Sequence, residues 1–493
     1  MVKKHKFLLA TFLISFVLYF RSLFVFFTND DFFHFVVSKA TSLKDFLNFF
    51  NLAAPVTGFP NYRPMATQVF YFLDAKLFNL NPLPMHIVLF ILFFGIIYFV
   101  YRLTQELFPD LKSKIKNQVV LTAAFLYAVS ATHFGQLYFV ATQEIIYGFF
   151  FFACVLSFVY LLKRWSLRNL ILSFLFFVLC LASKEPAVTL PFVLTLIYLY
   201  FRLTKLTKVA TKTILYSLAP FFAVLAGYLY MRFFHYGFAK GDSYLWAFEP
   251  KRIINSLGWY SLWSLNIPEM LVDFVGPGLK FLPSLFKHYS KEIIPIFVLF
   301  GAQIVLLAYS LFRFITNKNG ELKTEKGKIL AFCGLWFVGT LIPVLFLPIH
   351  KFSFYLTVPQ FGIVVLIACL LLSNRQRFAT YSFLAIWFTL SILTLNLTAK
   401  TSWITRGEEI SKNVYEFLKS NEKNFSVFSN IVFFDMPEDN TLPWLPTTVV
   451  KTSLSDNNFF QAFFSGKYRA WYGKESYPGG EGVYIWARQF LGY

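Results

Sequence analysis

The stretch Val140-Ala141-Thr142-Gln143-Glu144 opens a run with no further charge until Lys163-Arg164. Between them lie Ile145 to Leu162, with Phe149, Phe150, Phe151 and Phe152 in succession. A helix needs about 20 apolar residues to cross a bilayer, and the run near 140–162 has that length. The paired cations at its far end give it a direction. The whole chain is built in the same way. Of its 493 residues, 57% are hydrophobic, 14% are charged and 67 are Phe. Soluble domains carry roughly 25% charged residues, so the composition predicts an all-α polytopic membrane protein.

Eleven candidate spans follow, near 7–27, 85–107, 118–134, 140–162, 169–183, 187–203, 213–234, 293–315, 329–348, 354–373 and 379–398. The third and fifth are short. The N-terminal run reaches Phe27 without a small-residue cleavage site, so it reads as a retained helix rather than a signal peptide. Basic residues set the orientation. With the N-terminus in the cytoplasm, the inner loops hold Lys3, Lys4 and Lys6; Arg102, Lys112, Lys114 and Lys116; and Lys163, Arg164 and Arg168. They also hold Arg202, Lys205, Lys208 and Lys212; Arg313, Lys318, Lys323, Lys326 and Lys328; and Arg375 and Arg377. The short outer turns hold Lys184 and Lys351 and little else that is basic. This distribution accounts for much of the net charge of +20 and calls for no nucleic acid.

Two long outer segments remain, 28–84 and 235–292. The first holds Asn29-Asp30-Asp31, an amphipathic stretch from Leu43 to Phe50, and Asn61-Tyr62-Arg63-Pro64. The second holds His235-Tyr236-Gly237-Phe238, then Trp246, Trp259 and Trp263, residues suited to a headgroup boundary. Its stretch 251–275 reads as an amphipathic or re-entrant helix, and the first segment as interfacial helices. From residue 400 the composition turns polar. Glu408 to Leu418 reads as a helix, and Phe425 to Phe434 and Tyr484 to Arg488 as strands. The predicted division is therefore a transmembrane part, 1–399, and a small extracytoplasmic α/β domain, 400–493. The four cysteines, Cys154, Cys180, Cys333 and Cys369, lie in apolar runs without metal-ligand spacing.

The ionisable residues at helix ends gather on the outer side: Asp30, Asp31, Arg63, Glu144, Lys184, Glu185, His235, His350 and Lys351. Carboxylates at a membrane boundary are costly and are functional candidates by default. Each has a plainer explanation. Asp30 and Asp31 fit a hydrated, helix-capping loop, and Glu144 fits the positive end of a helix. Lys184 and Glu185 can pair with each other. His235 fits an interfacial aromatic, His350 and Lys351 fit snorkelling side chains, and Arg63 can grip lipid phosphate. Together they suit glycosyl transfer. A carboxylate takes the proton of an acceptor hydroxyl, while Arg and Lys hold a lipid phosphate as the leaving group. No Walker loop or Gly-rich dinucleotide turn is present.

The motifs Asn29-Asp30-Asp31, Tyr62-Arg63-Pro64-Met65, Pro84-Met85-His86, Ala141-Thr142-Gln143-Glu144, Ser183-Lys184-Glu185-Pro186 and Lys351-Phe352-Ser353-Phe354-Tyr355-Leu356 run in order through residues 1–360. In that order the chain resembles the GT-C superfamily of membrane glycosyltransferases, and within it the protein O-mannosyltransferase-like branch. The resemblance implies a polyprenyl-phosphate sugar donor and inverting transfer to a protein or glycan acceptor on the outer side. It implies a general base in the first outer loop, Asp30 or Asp31. It implies that Glu144 lies near the acceptor or a metal, and that Arg63, Lys184 and Lys351 serve the donor phosphate. Glu185, His235 and His350 are further candidates. Relatives often carry Glu-Arg before the Tyr of the last motif, where this chain has Lys351-Phe352-Ser353. Some relatives bind a divalent metal ion, and Asp30, Asp31 and Glu144 are the carboxylates available here for one. The competing reading is a transporter, flippase or non-catalytic binder of a lipid-linked sugar. A bacterial plasma membrane is the expected location.

Overall fold

The computed structural model describes residues 2–53, 61–108, 113–237, 244–316, 326–372, 377–425 and 430–492. Lys112, Lys318, Lys323, Arg375 and Phe238 lie outside the described residues. In lipid every backbone group must be satisfied within the protein, so each apolar run closes into a helix. The chain begins with α1 (Val2–Tyr19), continued by a 3-10 turn to Phe24. Three short helices follow in the first outer segment: α2 (Asp30–Val37), α3 (Leu43–Asn48) and α4 (Phe70–Leu77). Ser42 and Asp45 form a reciprocal capping box at the start of α3. Leu43 and Leu47 stay exposed on it, as an interfacial helix requires.

The bundle comprises α5 (Pro82–Leu107), α6 (Ser113–Ala128), α7 (Phe134–Tyr138), α8 (Glu144–Lys163), α9 (Leu167–Leu181), α10 (Leu190–Leu203) and α11 (Thr211–Met231). The second outer segment contributes α12 (Pro250–Ser264) and a two-residue hairpin, β1 (Val275–Gly276) with β2 (Lys280–Phe281). Then come α13 (Pro283–Thr316), kinked at Tyr289, α14 (Lys326–Leu345), α15 (Gln360–Leu372) and α16 (Arg377–Thr401). Among the described residues, eight helices are long and apolar enough to cross a bilayer, and a ninth span arises if α6 and α7, bent by 43°, count as one. The expectation of eleven spans differs through α9 and α15, which are helical but have only 15 and 13 residues.

Helix α8 is apolar on every side because it sits in the middle, packed against α5, α9 and α10. Close approach between helices rests on small residues. A Cβ on Gly148 would stand 2.5 Å from Thr357 Cγ2, and one on Gly362 would stand 2.6 Å from the Cys333 carbonyl oxygen. All four cysteines are buried and unbridged.

The C-terminal segment adds α17 (Trp403–Ser420), α18 (Glu422–Phe425), β3 (Asn430–Phe434), α19 (Pro446–Ser453), α20 (Asn458–Phe463), β4 (Arg469–Tyr472) and β5 (Val483–Trp486). The strands form one parallel sheet in the order β4-β3-β5. The strand expected over Phe425 to Phe434 is shorter, since Phe425 ends α18. The one expected over Tyr484 to Arg488 gives way to a 3-10 turn at Ala487. The boundary expected at 399/400 falls inside α16. Phe26, Phe27 and Phe32 pack against Tyr415, Phe459 and Phe463, so the core runs on from the bundle into the segment.

Candidate functional site

The two ends of the bundle differ in chemistry. At one end Lys163 and Arg102 both pair with Glu106. The other end gathers the helix termini that carry Asp30, Arg63, Glu144, Lys184, Glu185 and His350. There Arg63 precedes the π-helical turn Pro64–Val69. Its guanidinium donates from Nε to both Glu185 oxygens at 3.0 Å and from Nη2 to Oε2 at 2.6 Å. Nη1 donates to Gln143 Oε1 at 2.6 Å. Gln143 sits at φ 60°, the N-cap of α8, and its amide nitrogen donates to Thr67 Oγ1 at 2.6 Å. Lys184 pairs with Glu144 at 2.7 Å and donates to the Thr142 carbonyl. The plainer explanation in which Lys184 and Glu185 pair with each other is therefore corrected. Each crosses to a different helix start, because the extended backbone at Lys184 turns the neighbouring side chains apart.

These pairs floor a crevice with about 160 Å³ of open space. Arg63, Lys184, Glu185 and Arg232 line its polar end, and Tyr228, Tyr244, Trp246 and Tyr355 its aromatic rim. Leu229 near the end of α11 and Phe233 just past it, with Pro343 and Val344 at the end of α14 and Leu347 just past it, make an apolar side between those two helices. Arg232 was absorbed into the run 213–234 by sequence reasoning. A cation in the last turn of a span, on the side opposite the basic loops, is the signal that marks it. Tyr355 is the Tyr of the last sequence motif, whereas Tyr244 carries no signal in the sequence beyond its type.

The two aspartates have different surroundings. Asp31 is 2% exposed. Its Oδ1 accepts from Tyr71 Oη and its Oδ2 from the Thr28 amide at 3.0 Å. Burial raises its pKa to about 7 against the pull of those two donors. Asp30 is exposed along one edge. Partial burial raises its pKa, and the Arg63 guanidinium pulls it back. With that edge open to solvent, Asp30 is an accessible carboxylate. Burial and the positive Arg63 and Lys184 hold His34 down to about 3. The same burial and charges, led by burial, hold His350 at about 4, where its ring stacks on Tyr244 at 4.3 Å.

Two candidates lie apart. His235 Nε2 is 2.7 Å from the Ala53 carbonyl oxygen on an exposed face. Lys351 Nζ donates to Asn255 Oδ1 at 3.1 Å and does not line the crevice. The fit of a divalent ion is poor. Asp31 already accepts at both oxygens, and Glu144 is neutralised by Lys184. Among the described residues no three His, Cys, Asp or Glu side chains converge as a ligand set.

The chain matches no family model and no curated protein. Among solved structures it is similar to the crystal structure of the Archaeoglobus fulgidus oligosaccharyltransferase in complex with zinc and sulfate. The TM-score is 0.48 at 14% identity, over 95% of this chain and 62% of that one. The chain thus spans less than two thirds of that protein's length.

Proposed function

We propose that this chain is a multi-pass membrane glycosyltransferase of GT-C type that moves one sugar from a polyprenyl-phosphate donor to a protein or glycan hydroxyl. The observation that carries this reading is the crevice. It joins a polar end, where Arg63, Lys184 and Arg232 outnumber Glu185, to an apolar side between α11 and α14, and Asp30 stands close enough to feel the Arg63 charge. A lipid phosphate needs that combination: a charge-matched head site and an apolar exit for the tail. The open volume suits one sugar or phosphate headgroup rather than an oligosaccharide. The order of motifs along residues 1–360 supports the same class.

In this reading the working face is extracytoplasmic, with the N-terminus inside and residues 400–493 outside, because the basic loops lie at the other end. Asp30 is the general base, since both Asp31 oxygens are occupied in holding Tyr71 and the Thr28 amide. The acceptor oxygen loses its proton to Asp30 and bonds to the anomeric carbon. The bond from that carbon to the donor phosphate oxygen breaks, with inversion. The polyprenyl phosphate leaves with its new charge facing Arg63 and Arg232. Glu144 opposes the downward pull of burial on Lys184, and an ammonium there adds to the positive field.

The test is donor turnover by the purified protein in nanodiscs with a panel of polyprenyl-phosphate sugars. Release of polyprenyl phosphate by the wild type, lost by about 10²-fold or more in Asp30→Asn and retained in a folded Asp31→Asn, supports the reading. Binding of donors without turnover of any would instead favour a carrier or binder of lipid-linked sugar.

A further inference from the structure

The loop that presents Asp30 is held from outside itself. Asn29, directly before it, adopts φ 48° and ψ −121°. That region is strained for a residue with a Cβ and persists only where the surroundings enforce it. The Asn29 amide donates to the Ser453 carbonyl at 2.8 Å. Ser453 is the last residue of α19, so this carbonyl has no partner within its own helix. Thr28 Oγ1 lies 3.4 Å from the same oxygen, and Ser411 Oγ of α17 donates to it at 3.0 Å. One oxygen therefore ties α17, α19 and the Asp30 loop together.

The approach is close because residue 407 of α17 is glycine. A Cβ there would stand 2.6 Å from Thr28 Oγ1 and 3.5 Å from Asn29 Oδ1. Just before the loop, the Phe26 amide donates to Glu408 Oε2 at 3.1 Å. Just after it, the Phe32 ring packs on Phe459 at 5.1 Å. The C-terminal segment thus grips the loop before, at and after the strained residue.

We propose that the C-terminal segment is a positioning clamp: the Ser453 carbonyl, seated beside Gly407, holds Asn29 in its strained conformation and so fixes how Asp30 is presented near Arg63. The proposal rests on the role given to Asp30 above. Ser453, Gly407 and Asn29 touch no reacting atom in this scheme and are positioning residues. Displacing a base by about 1 Å can cost 10²-fold in rate, so the clamp acts on kcat rather than on donor affinity.

Full-length protein in nanodiscs provides the test, with amide exchange read on a peptide spanning residues 27–33 beside donor kcat, KM and Tm. Gly407→Ala is expected to speed exchange there by about tenfold and lower kcat by about tenfold, with donor KM within about twofold. Adding Asn29→Gly removes the strain that the clamp opposes, so the double variant is expected to recover most of kcat. A merely structural role for Gly407 would not be repaired at residue 29. Ser411→Ala, which introduces no clash, is expected to move both readouts the same way by a smaller factor. Exchange unchanged in both variants overturns the clamp whatever the activity, as does faster exchange with kcat intact. Wild-type protein that turns over no donor defeats the functional reading instead, and the exchange comparison still decides whether the clamp exists.

Discussion

Lys184 Nζ stands 2.7 Å from Glu144 Oε1, with the two side chains only 5% and 1% exposed. The lysine comes from the turn after α9 and the glutamate from the first residue of α8. The ammonium also lies 4.9 Å from the Tyr355 ring centre and 5.3 Å from that of Phe354. Burial pulls its pKa down and Glu144 resists the pull. The pair therefore fixes the relation of α8, α9 and the turn before α15 at the crevice floor.

Breaking such a pair from one side leaves a buried charge without its partner, at a cost of about 3–5 kcal/mol, whereas replacing both members is often near neutral. Lys184→Met is thus expected to destabilise by about that amount, and Lys184→Met with Glu144→Leu to recover most of it. Thermal unfolding in a fixed detergent or nanodisc checks this. Equal losses in the single and double variants would show that packing, not charge, holds the site.

Asp74 on α4 is 2% exposed, and neither of its oxygens has a hydrogen-bond partner among the described residues. Burial raises its pKa to about 7. A raised carboxyl binds its proton more tightly in the folded chain than in the unfolded one. Stability is then greatest below the ordinary carboxylate range near pH 4 and falls as pH rises to about 7. Asp74→Asn is expected to remove that slope and to be more stable than wild type at pH 8 by up to about 4 kcal/mol. Asp74 is less deeply enclosed than Asp31, so that figure is a ceiling. Melting curves at pH 4, 6 and 8 that stay parallel for the two proteins would contradict it.

The positions of the apolar helices were legible because bilayer thickness and backbone hydrogen bonding leave so few alternatives. The gathering of Asp30, Arg63, Glu144, Lys184 and Glu185 at one end was legible for the same reason, since charge is tolerated only at helix ends. Their pairing was not. Sequence proximity favours Lys184 with Glu185, whereas the structure crosses the pairs because the extended backbone at Lys184, just before the 3-10 turn that Glu185 opens, sends the two side chains apart. Lys351 reads like Lys184, but its stem turns toward Asn255 on α12, a contact that depends on how the second outer segment folds back. The strand β4 has only four residues, Arg469–Tyr472, and its one parallel partner, β3, is far away in sequence, so no local pattern announces it.

Helices α14 and α15 touch at Gly362, where a Cβ would meet the Cys333 carbonyl at 2.6 Å and Trp336 Cδ1 at 3.2 Å. The nearest obstacle is backbone, which cannot rotate away. Trp336 is further fixed by donating from Nε1 to the Val358 carbonyl at 2.9 Å. Gly362→Ala is therefore expected to cost about 1–3 kcal/mol by overpacking. Gly334→Ala, where a Cβ meets nothing within 4 Å, is expected to be neutral or slightly stabilising. Unfolding of the two variants side by side separates helix propensity from close approach.

The acid limb of the rate profile reports on Asp30 if that residue is the base. A base works only when deprotonated, so activity is present above its pKa and lost as pH falls through it. Burial raises this pKa and Arg63 lowers it. Removing the guanidinium leaves the raising effect unopposed, so in Arg63→Gln the acid limb of kcat is expected to move to higher pH. The same substitution strips Glu185 and Gln143 of their shared donor, so the absolute rate is expected to fall as well. The position of the limb is independent of that loss. Arg63→Lys keeps a charge near Asp30 but cannot reach both Glu185 and Gln143 with one planar fork. It is therefore expected to lose rate with a smaller shift of the limb. A limb unmoved in Arg63→Gln would mean that the titrating group is not Asp30.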